Sequence, residues 1–302
     1  MIKIIILGAA AGGGVPQWNC GCDNCRKART GAPGPAANQA CAAVSADGEH
    51  WFLINASPDI RQQIANTPAL HPKPGALRHS PIAGVILTGG EIDAITGLLT
   101  LREGSPFTLY AHERVLSILA DNSIFNALRP EVVTRQAITP DTAFIPTLPD
   151  GIASGLRIEP FIAPGKTALF LEGAADHEAG DTLGLKITSE TDGTSVVFLP
   201  ACATVTPEVK AIAAGADALF FDGTLWQDDE MVAAGLSTKT GQRMGHISMQ
   251  DAMPAWADVA IGQKFFFHIN NSNAALRPDS AERKALEAGG WTIPAEGLEI
   301  TL

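Results

Sequence analysis

The sequence predicts an α/β protein built as a four-layer αββα sandwich, two β-sheets face to face with helices on both outer faces. Short continuous apolar runs closed by Gly, Pro or Asp read as buried strands. Between them lie amphipathic stretches with capping residues, which read as helices. Both halves of the chain show a run of strands followed by helices, and two packed sheets accommodate that order. The 302 residues, 46% of them hydrophobic, are enough to bury one core, and a single domain over 1–302 is expected.

Residues 2–8 (IKIIILG) form a buried strand ending at Gly8. AAVSADGEHWFLINAS reads as two strands joined by a turn at Asp47-Gly48. PDIRQQIANTPAL is a short helix with Pro58 in its first turn. IAGVILTG is another buried strand, and EIDAITGLLTLRE then opens a helix whose apolar face is Ile92, Ile95, Leu98 and Leu99. FTLYAH is a strand and ERVLSILADN a helix. Beyond about residue 150, GLRIEPFIAPG, LGLKITSETDGTSVVFLP and ADALFFDGT supply strands. TPEVKAIAAG is a helix with Thr206 as N-cap and Pro207 at the first helical position. SMQDAMPAWADV is a further helix and QKFFFHINN a late strand.

Composition excludes several classes of function. The formal net charge is −11, with only 21 Lys and Arg, so neither nucleic acid nor an anionic membrane surface is an expected partner. No run of 18 apolar residues predicts a membrane span. The first residues lack a long apolar region with a small-residue cleavage site. A reduced, cytoplasmic protein is expected.

Five cysteines are present, and Cys20, Cys22 and Cys25 share one loop. C-x-C-x-x-C presents three thiolates to one tetrahedral ion, so a structural zinc is expected in the loop at 20–25. The best candidates for the fourth ligand lie far along the chain, His268 or Asn271 in FFFHINNSN, with water or a partner chain as the alternatives. Cys41 and Cys202 stand apart and are expected as packed core thiols. The Gly-rich start, ILGAAAGGG, lacks the G-x-G-x-x-G spacing and the following helix of a dinucleotide site.

Glu91 and Asp93 sit where a strand ends and a helix begins, an edge at which open α/β sheets bind ligands. Helix capping is the competing reading. TGGEIDAITG resembles a worn metallo-β-lactamase signature, [ST]-H-x-H-x-D-H-x-x-G. Thr88, Asp93 and Gly97 match; Gly89, Glu91 and Ala94 replace the histidines. LGAAAGGGVPQWNC, NASPDIRQQI, LRHSPI, GLLTLREG, FTLYA, ADALFFDGT, TKTGQRMGHISM and HINNSN follow in order through residue 273. Together they resemble the pyrroloquinoline quinone (PQQ) biosynthesis family of that superfamily over nearly the whole chain.

The resemblance implies a metallo-β-lactamase-like fold, a homodimer, and Asp93 as a ligand of an active-site metal. In that family the histidine after this Asp is generally kept, and here it is Ala94. The resemblance leaves Glu91, Asp93 and His268 as the active-site metal set, with His268 alternatively on the cysteine zinc. It makes Asp222 and His246, in FFDGT and GHISM, an acid–His pair that manages protons. The superfamily's bridging Asp is absent: Ala201 and Cys202 occupy that stretch. The implied activity is iron(II)- and O2-dependent hydroxylation of the tyrosine ring of a cross-linked Glu–Tyr precursor cut from the peptide PqqA. Arg61 and Arg102 are candidate carboxylate anchors for this small amino-acid-like substrate. Two rival readings are a metal-dependent, phosphodiesterase-like hydrolase and a non-catalytic carrier or transport factor for PQQ or its precursor.

Overall fold

The computed structural model describes residues 1–173 and 178–302. The first sheet contains β1 (Lys3–Gly8), β2 (Cys41–Ser45), β3 (Trp51–Ile54), β4 (Ile82–Ile86), β5 (Phe107–Ala111), β6 (Val133–Ala137) and, at its edge, a C-terminal strand. The second contains β7 (Leu156–Ile162), β8 (Leu183–Ser189), β9 (Ser195–Leu199), β10 (Ala218–Asp222), β11 (Gln263–Phe267) and β12 (Trp291–Thr292). The C-terminal strand, β13 (Glu299–Thr301), pairs antiparallel with β1. The strand orders are β13-β1-β2-β3-β4-β5-β6 and β12-β11-β10-β9-β8-β7.

Alternation along each strand divides the core into three. Ile4 and Ile6 of β1 and Phe220 of β10 face the space between the sheets, together with Phe52, Ile86, Phe198 and Phe267. Ile5 and Leu7 face outward, against Ile60, Val115 and Leu119 of the covering helices. Phe221 likewise packs outside the second sheet with Val209, Met249 and Trp256. Strands covered on both faces lose the polar alternation of a half-exposed sheet, so β1–β4 read as unbroken apolar runs. The αββα layering follows from these three clusters.

The expected hairpin forms between β2 and β3, which pair antiparallel. Asp47 Oδ1 accepts from the N–H of Glu49 and His50, both at 2.8 Å, and Gly48 adopts φ 76°. Thr206 Oγ1 accepts from Val209 N–H at 3.3 Å, capping the helix Pro207–Ala213. Two helices differ from expectation. Pro58 precedes its helix, which starts at Ile60 and stops at Asn66, because Pro68 cannot donate an N–H to continue it. The helix after β4 is α-helical only over Ile92–Ile95 and tightens to 3-10 geometry over Thr96–Arg102. Gly97 passes so close to the 56–57 backbone that an added Cβ would lie 2.2 Å from Ser57 O. Ile95 and Leu98 are buried as expected and Leu99 packs against the same cluster, but Ile92 is left 52% exposed.

The parallel pairings β3-β4-β5-β6 and β9-β10-β11-β12 place the carboxyl ends of β4, β10 and β11 at one edge of the sandwich. Asp93, Asp222, Thr224 and His268 follow those ends, where crossovers leave loops free to carry ligands.

Candidate functional site

At this edge a cavity of about 800 Å³ opens, lined in part by Asp93, Thr224, His246 and His268. Asp222 is fully buried and its carboxylate is saturated. Oδ2 accepts from Cys202 N–H at 2.8 Å and from His246 Nδ1 at 2.7 Å. Oδ1 accepts from Thr224 N–H at 3.0 Å and Thr224 Oγ1 at 2.7 Å. A buried carboxylate with four donors is held immobile. It orients its partners, and His246 Nε2 has no hydrogen-bond partner among the described residues.

Thr224 is the joint of the cluster. Its Oγ1 lies 3.1 Å from His246 Nδ1 and 3.0 Å from His268 Nδ1. Because the hydroxyl hydrogen goes to Asp222, His268 Nδ1 carries the proton of that contact and donates to Thr224. His268 Nε2 is then turned on Asp93 Oδ2, at 2.8 Å. The two imidazoles stack with centroids 5.4 Å apart. His268 itself sits just beyond β11 at φ 62°, an uncommon backbone region for a non-glycine residue. Bonds from Gly223 N–H to Phe267 O (2.7 Å) and from Ile269 N–H to Ala9 O (2.7 Å) hold the turn on both sides.

Burial works against charge on both Asp93 and His268, but their hydrogen bond and mutual attraction outweigh it. The Asp93 carboxyl is held below its usual range and the His268 imidazole is raised. Two acceptors, a carboxylate oxygen and an imidazole lone pair, converge on a position that must hold a proton or a cation. A histidine whose other nitrogen is anchored to a hydroxyl is the support a metal ligand requires. The donor set therefore fits a divalent ion, which Asp93 and His268 would hold. The ligand atoms of Asp222, His246 and His268 lie within 4.8 Å of one another.

The cysteine loop forms a second candidate centre. The sulfurs of Cys20, Cys22 and Cys25 lie within 4.8 Å of one another. Asn271 Nδ2 sits 3.1 Å from Cys20 Sγ, 3.3 Å from Cys25 Sγ and 3.6 Å from Cys22 Sγ. Turning that amide over presents Oδ1 as a fourth, oxygen donor. Burial pushes the Cys25 thiol up to about 11. Burial also opposes ionisation of Cys22, but hydrogen bonds from Cys25 N–H and Cys20 outweigh it and its pKa falls. Asn24, buried, donates to the carbonyls of Asn271 (2.9 Å) and Asn273 (2.8 Å) and ties the loop to the turn that carries His268.

Several expectations need correction. His268 is engaged by Asp93 and Thr224, so the cysteine centre takes its fourth contact from Asn271. Glu91, expected beside Asp93 on the metal, instead pairs with Lys166 Nζ at 3.1 Å and accepts from Leu169 N–H. It is the N-cap residue of the short helix and lines the cavity beside Asp93. Arg61 and Arg102 are exposed and do not line the cavity. Arg61 lies on the outer face of its helix, and Arg102 closes on Leu99 O and Glu103. Cys41 and Cys202 are fully buried, and burial pushes each thiol up to about 12. Ala94 and Ala201 both line the cavity. The Gly-rich loop passes beside the centre, where a Cβ on Gly12 would lie 3.4 Å from Asp93 Oδ2. Thr224 was not foreseen; nothing in FFDGT distinguishes a joint from a turn residue. Asn55 was missed too. At φ 63° it locks Thr88 by accepting from its N–H at 2.9 Å.

An αββα sandwich that gathers carboxylates and histidines at the edge shared by its sheets is the architecture of the β-lactamase superfamily. Residues 50–269 match the β-lactamase superfamily domain. Within that superfamily, the chain belongs to the coenzyme PQQ synthesis protein B (PqqB) family. It is 60% identical over 309 residues to the coenzyme PQQ synthesis protein B of Rhodopseudomonas palustris, covering 100% of both chains. The zinc-bound PqqB from Methylobacterium extorquens superposes with a TM-score of 0.94 at 47% identity, covering 99% of this chain and 100% of that one. A diphosphatase of the PhnP family shares the fold alone, with a TM-score of 0.70 at 18% identity over 99% of this chain and 96% of its own. Among the described residues no helix is long and apolar enough to cross a membrane.

Proposed function

We propose that this chain acts in PQQ synthesis as a metal- and O2-dependent hydroxylase of the tyrosine-derived ring of a cross-linked Glu–Tyr precursor. Support for the pathway comes from the likeness to the PqqB proteins. The observation that carries the chemistry is the Asp93–His268 pair, backed by Thr224, in a donor set without the superfamily's leading histidines. A two-metal hydrolase needs a second set of ligands to activate a bridging hydroxide, and Gly89, Ala94 and Ala201 do not supply it. A single redox-active ion with open positions suits oxygen chemistry, and iron(II) at a carboxylate–imidazole site would supply it.

The chain's own groups have distinct tasks. Asp93 and His268 would hold the ion. Asp222 fixes the His246 ring through Nδ1, leaving Nε2 to take or return a proton at the ring carbon. Ring C–H, O2, two electrons and two protons give C–OH and water, so the reaction needs an added reductant.

The test is anaerobic iron(II) titration of wild type and Asp93→Ala, with zinc counted in parallel, followed by O2, ascorbate and the cross-linked dipeptide. One zinc that survives Asp93→Ala, a second site that does not, and product carrying one added oxygen atom are expected. Zinc alone, with no iron bound by either form, would sink the hydroxylase and favour the carrier.

A further inference from the structure

We infer that Lys166 and Lys239 form a carboxylate-binding subsite on the cavity wall, which holds a flat polycarboxylate with its ring toward Asp93 and His268. Among the described residues lining the cavity, these two are the only Lys or Arg side chains. Both ammonium groups are held from behind by Glu172, which itself does not line the cavity. Lys239 Nζ lies 2.7 Å from Glu172 Oε2 and Lys166 Nζ 3.4 Å from Oε1. Glu91 takes the other side of Lys166 at 3.1 Å, and Arg243 joins at 3.9 Å from Glu172. Three cations thus share two carboxylates. Among the described residues, the cations of this cluster outnumber its carboxylates by one, in a chain whose net charge is −11.

The lysines are also placed. The Lys166 stem lies against Gly245, where an added Cβ would come within 3.0 Å of its Cγ, and Gly245 immediately precedes His246. Glu91, its partner, is two residues from Asp93. The subsite therefore borders both halves of the reaction centre. Beside it the cavity exposes large apolar side chains: Ile92 at 52%, Leu169 at 55% and Phe170 at 42%. An apolar wall, a pair of lysines and an acid–imidazole cluster around about 800 Å³ match a planar ring bearing carboxylates. The subsite rests on the geometry; naming PQQ or its precursor as the ligand rests on the function proposed above.

The test measures binding of PQQ, a tricarboxylate, to the zinc-loaded chain by calorimetry. The comparisons are Lys166→Met, Lys239→Met and Glu172→Gln. Controls are the PQQ trimethyl ester, 1,2,3-propanetricarboxylate and inorganic pyrophosphate. Each Lys→Met variant is expected to weaken PQQ binding about tenfold, the size of one lost charge-assisted bond. Glu172→Gln, which frees the lysines of their internal counter-ion, is expected to tighten it a few-fold. The ester should bind both lysine variants as weakly as it binds wild type. PQQ binding unchanged in both lysine variants would overturn the subsite and leave the proposed function standing. Lysine-dependent binding of propanetricarboxylate with no binding of PQQ would keep the subsite and sink the proposed ligand. Lysine-dependent binding of pyrophosphate in preference to either would overturn the carboxylate assignment.

Discussion

His268 Nε2 lies 2.8 Å from Asp93 Oδ2 although 175 residues separate them. The two sheets are what bring them together: Asp93 follows β4 of one and His268 follows β11 of the other. The pair spans the seam of the sandwich, so anything that shifts one sheet against the other changes it.

Thr224 should be as important to this seam as either partner. Thr224→Val keeps the shape and removes the hydroxyl that joins Asp222, His246 and His268. A buried carboxylate oxygen then loses a donor, at a cost of about 1–3 kcal/mol. Urea unfolding measures that loss, and the iron titration should show weakened binding at the second site. Thr224→Ser is expected to restore much of both.

The pair also sets a pH window for the metal-stripped protein. The raised His268 contributes stability that is complete below its unfolded value, about 6.5, and is lost as pH rises through its higher folded value. The lowered Asp93 contributes stability present above its unfolded value, about 3.9, and lost as pH falls through its lower folded value. Both act together between roughly pH 4 and 6.5. The Tm difference between stripped wild type and Asp93→Asn should be largest there and shrink on either side. Metal affinity should run the other way and rise with pH, because the ion displaces the proton between the two groups.

At the cysteine centre an amide stands where a stronger ligand would fit. Asn271→His is expected to raise zinc affinity at least about tenfold, since imidazole is the better zinc donor. Cys22→Ser should lower zinc content by about one per chain and leave metal binding at Asp93 and His268 in place. With zinc removed, Cys22, whose pKa is lowered, should react with a thiol reagent at pH 8, and the buried Cys25, pushed up to about 11, far more slowly. Cys41 and Cys202, whose pKa values are pushed up to about 12, should react only on unfolding.

Gly97→Ala tests the close crossing beneath the Asp93 turn. Its Cβ would lie 2.2 Å from Ser57 O and 2.6 Å from Ala56 O, and backbone on both sides cannot step aside as a side chain could. A loss at the upper end of about 1–3 kcal/mol is expected in denaturant melts, together with weaker metal binding through the displaced Asp93.

Local chemistry made most of the fold legible. Unbroken apolar runs marked β1, β3, β4, β9 and β10, because both faces of those strands are covered. Asp47-Gly48 marked its hairpin, and Thr206-Pro207 its helix start, by rules that act over a few residues. The short edge elements β6, β12 and β13 escaped notice, since few of their residues are buried on both faces. The 3-10 segment at Thr96–Arg102 did too, because the cause is a crossing chain some forty positions upstream.

The sequence by itself determined which groups were available: three thiols in one loop, an Asp after β4, a His after β11, and an acid and a His further apart. Tertiary structure decided how they were shared. Glu91 and Asp93 are two residues apart, yet one turns to Lys166 and the other to His268, because the helix between them begins at Ile92. His268 and Asn271 are three apart, yet they serve different centres, because the turn after β11 passes between the cysteine loop and the cavity. Spacing along the chain limits what neighbours can reach. Which of them reaches a given partner depends on where the two sheets place the backbone, and that is set by the packing of some seventy buried apolar side chains rather than by the motif itself.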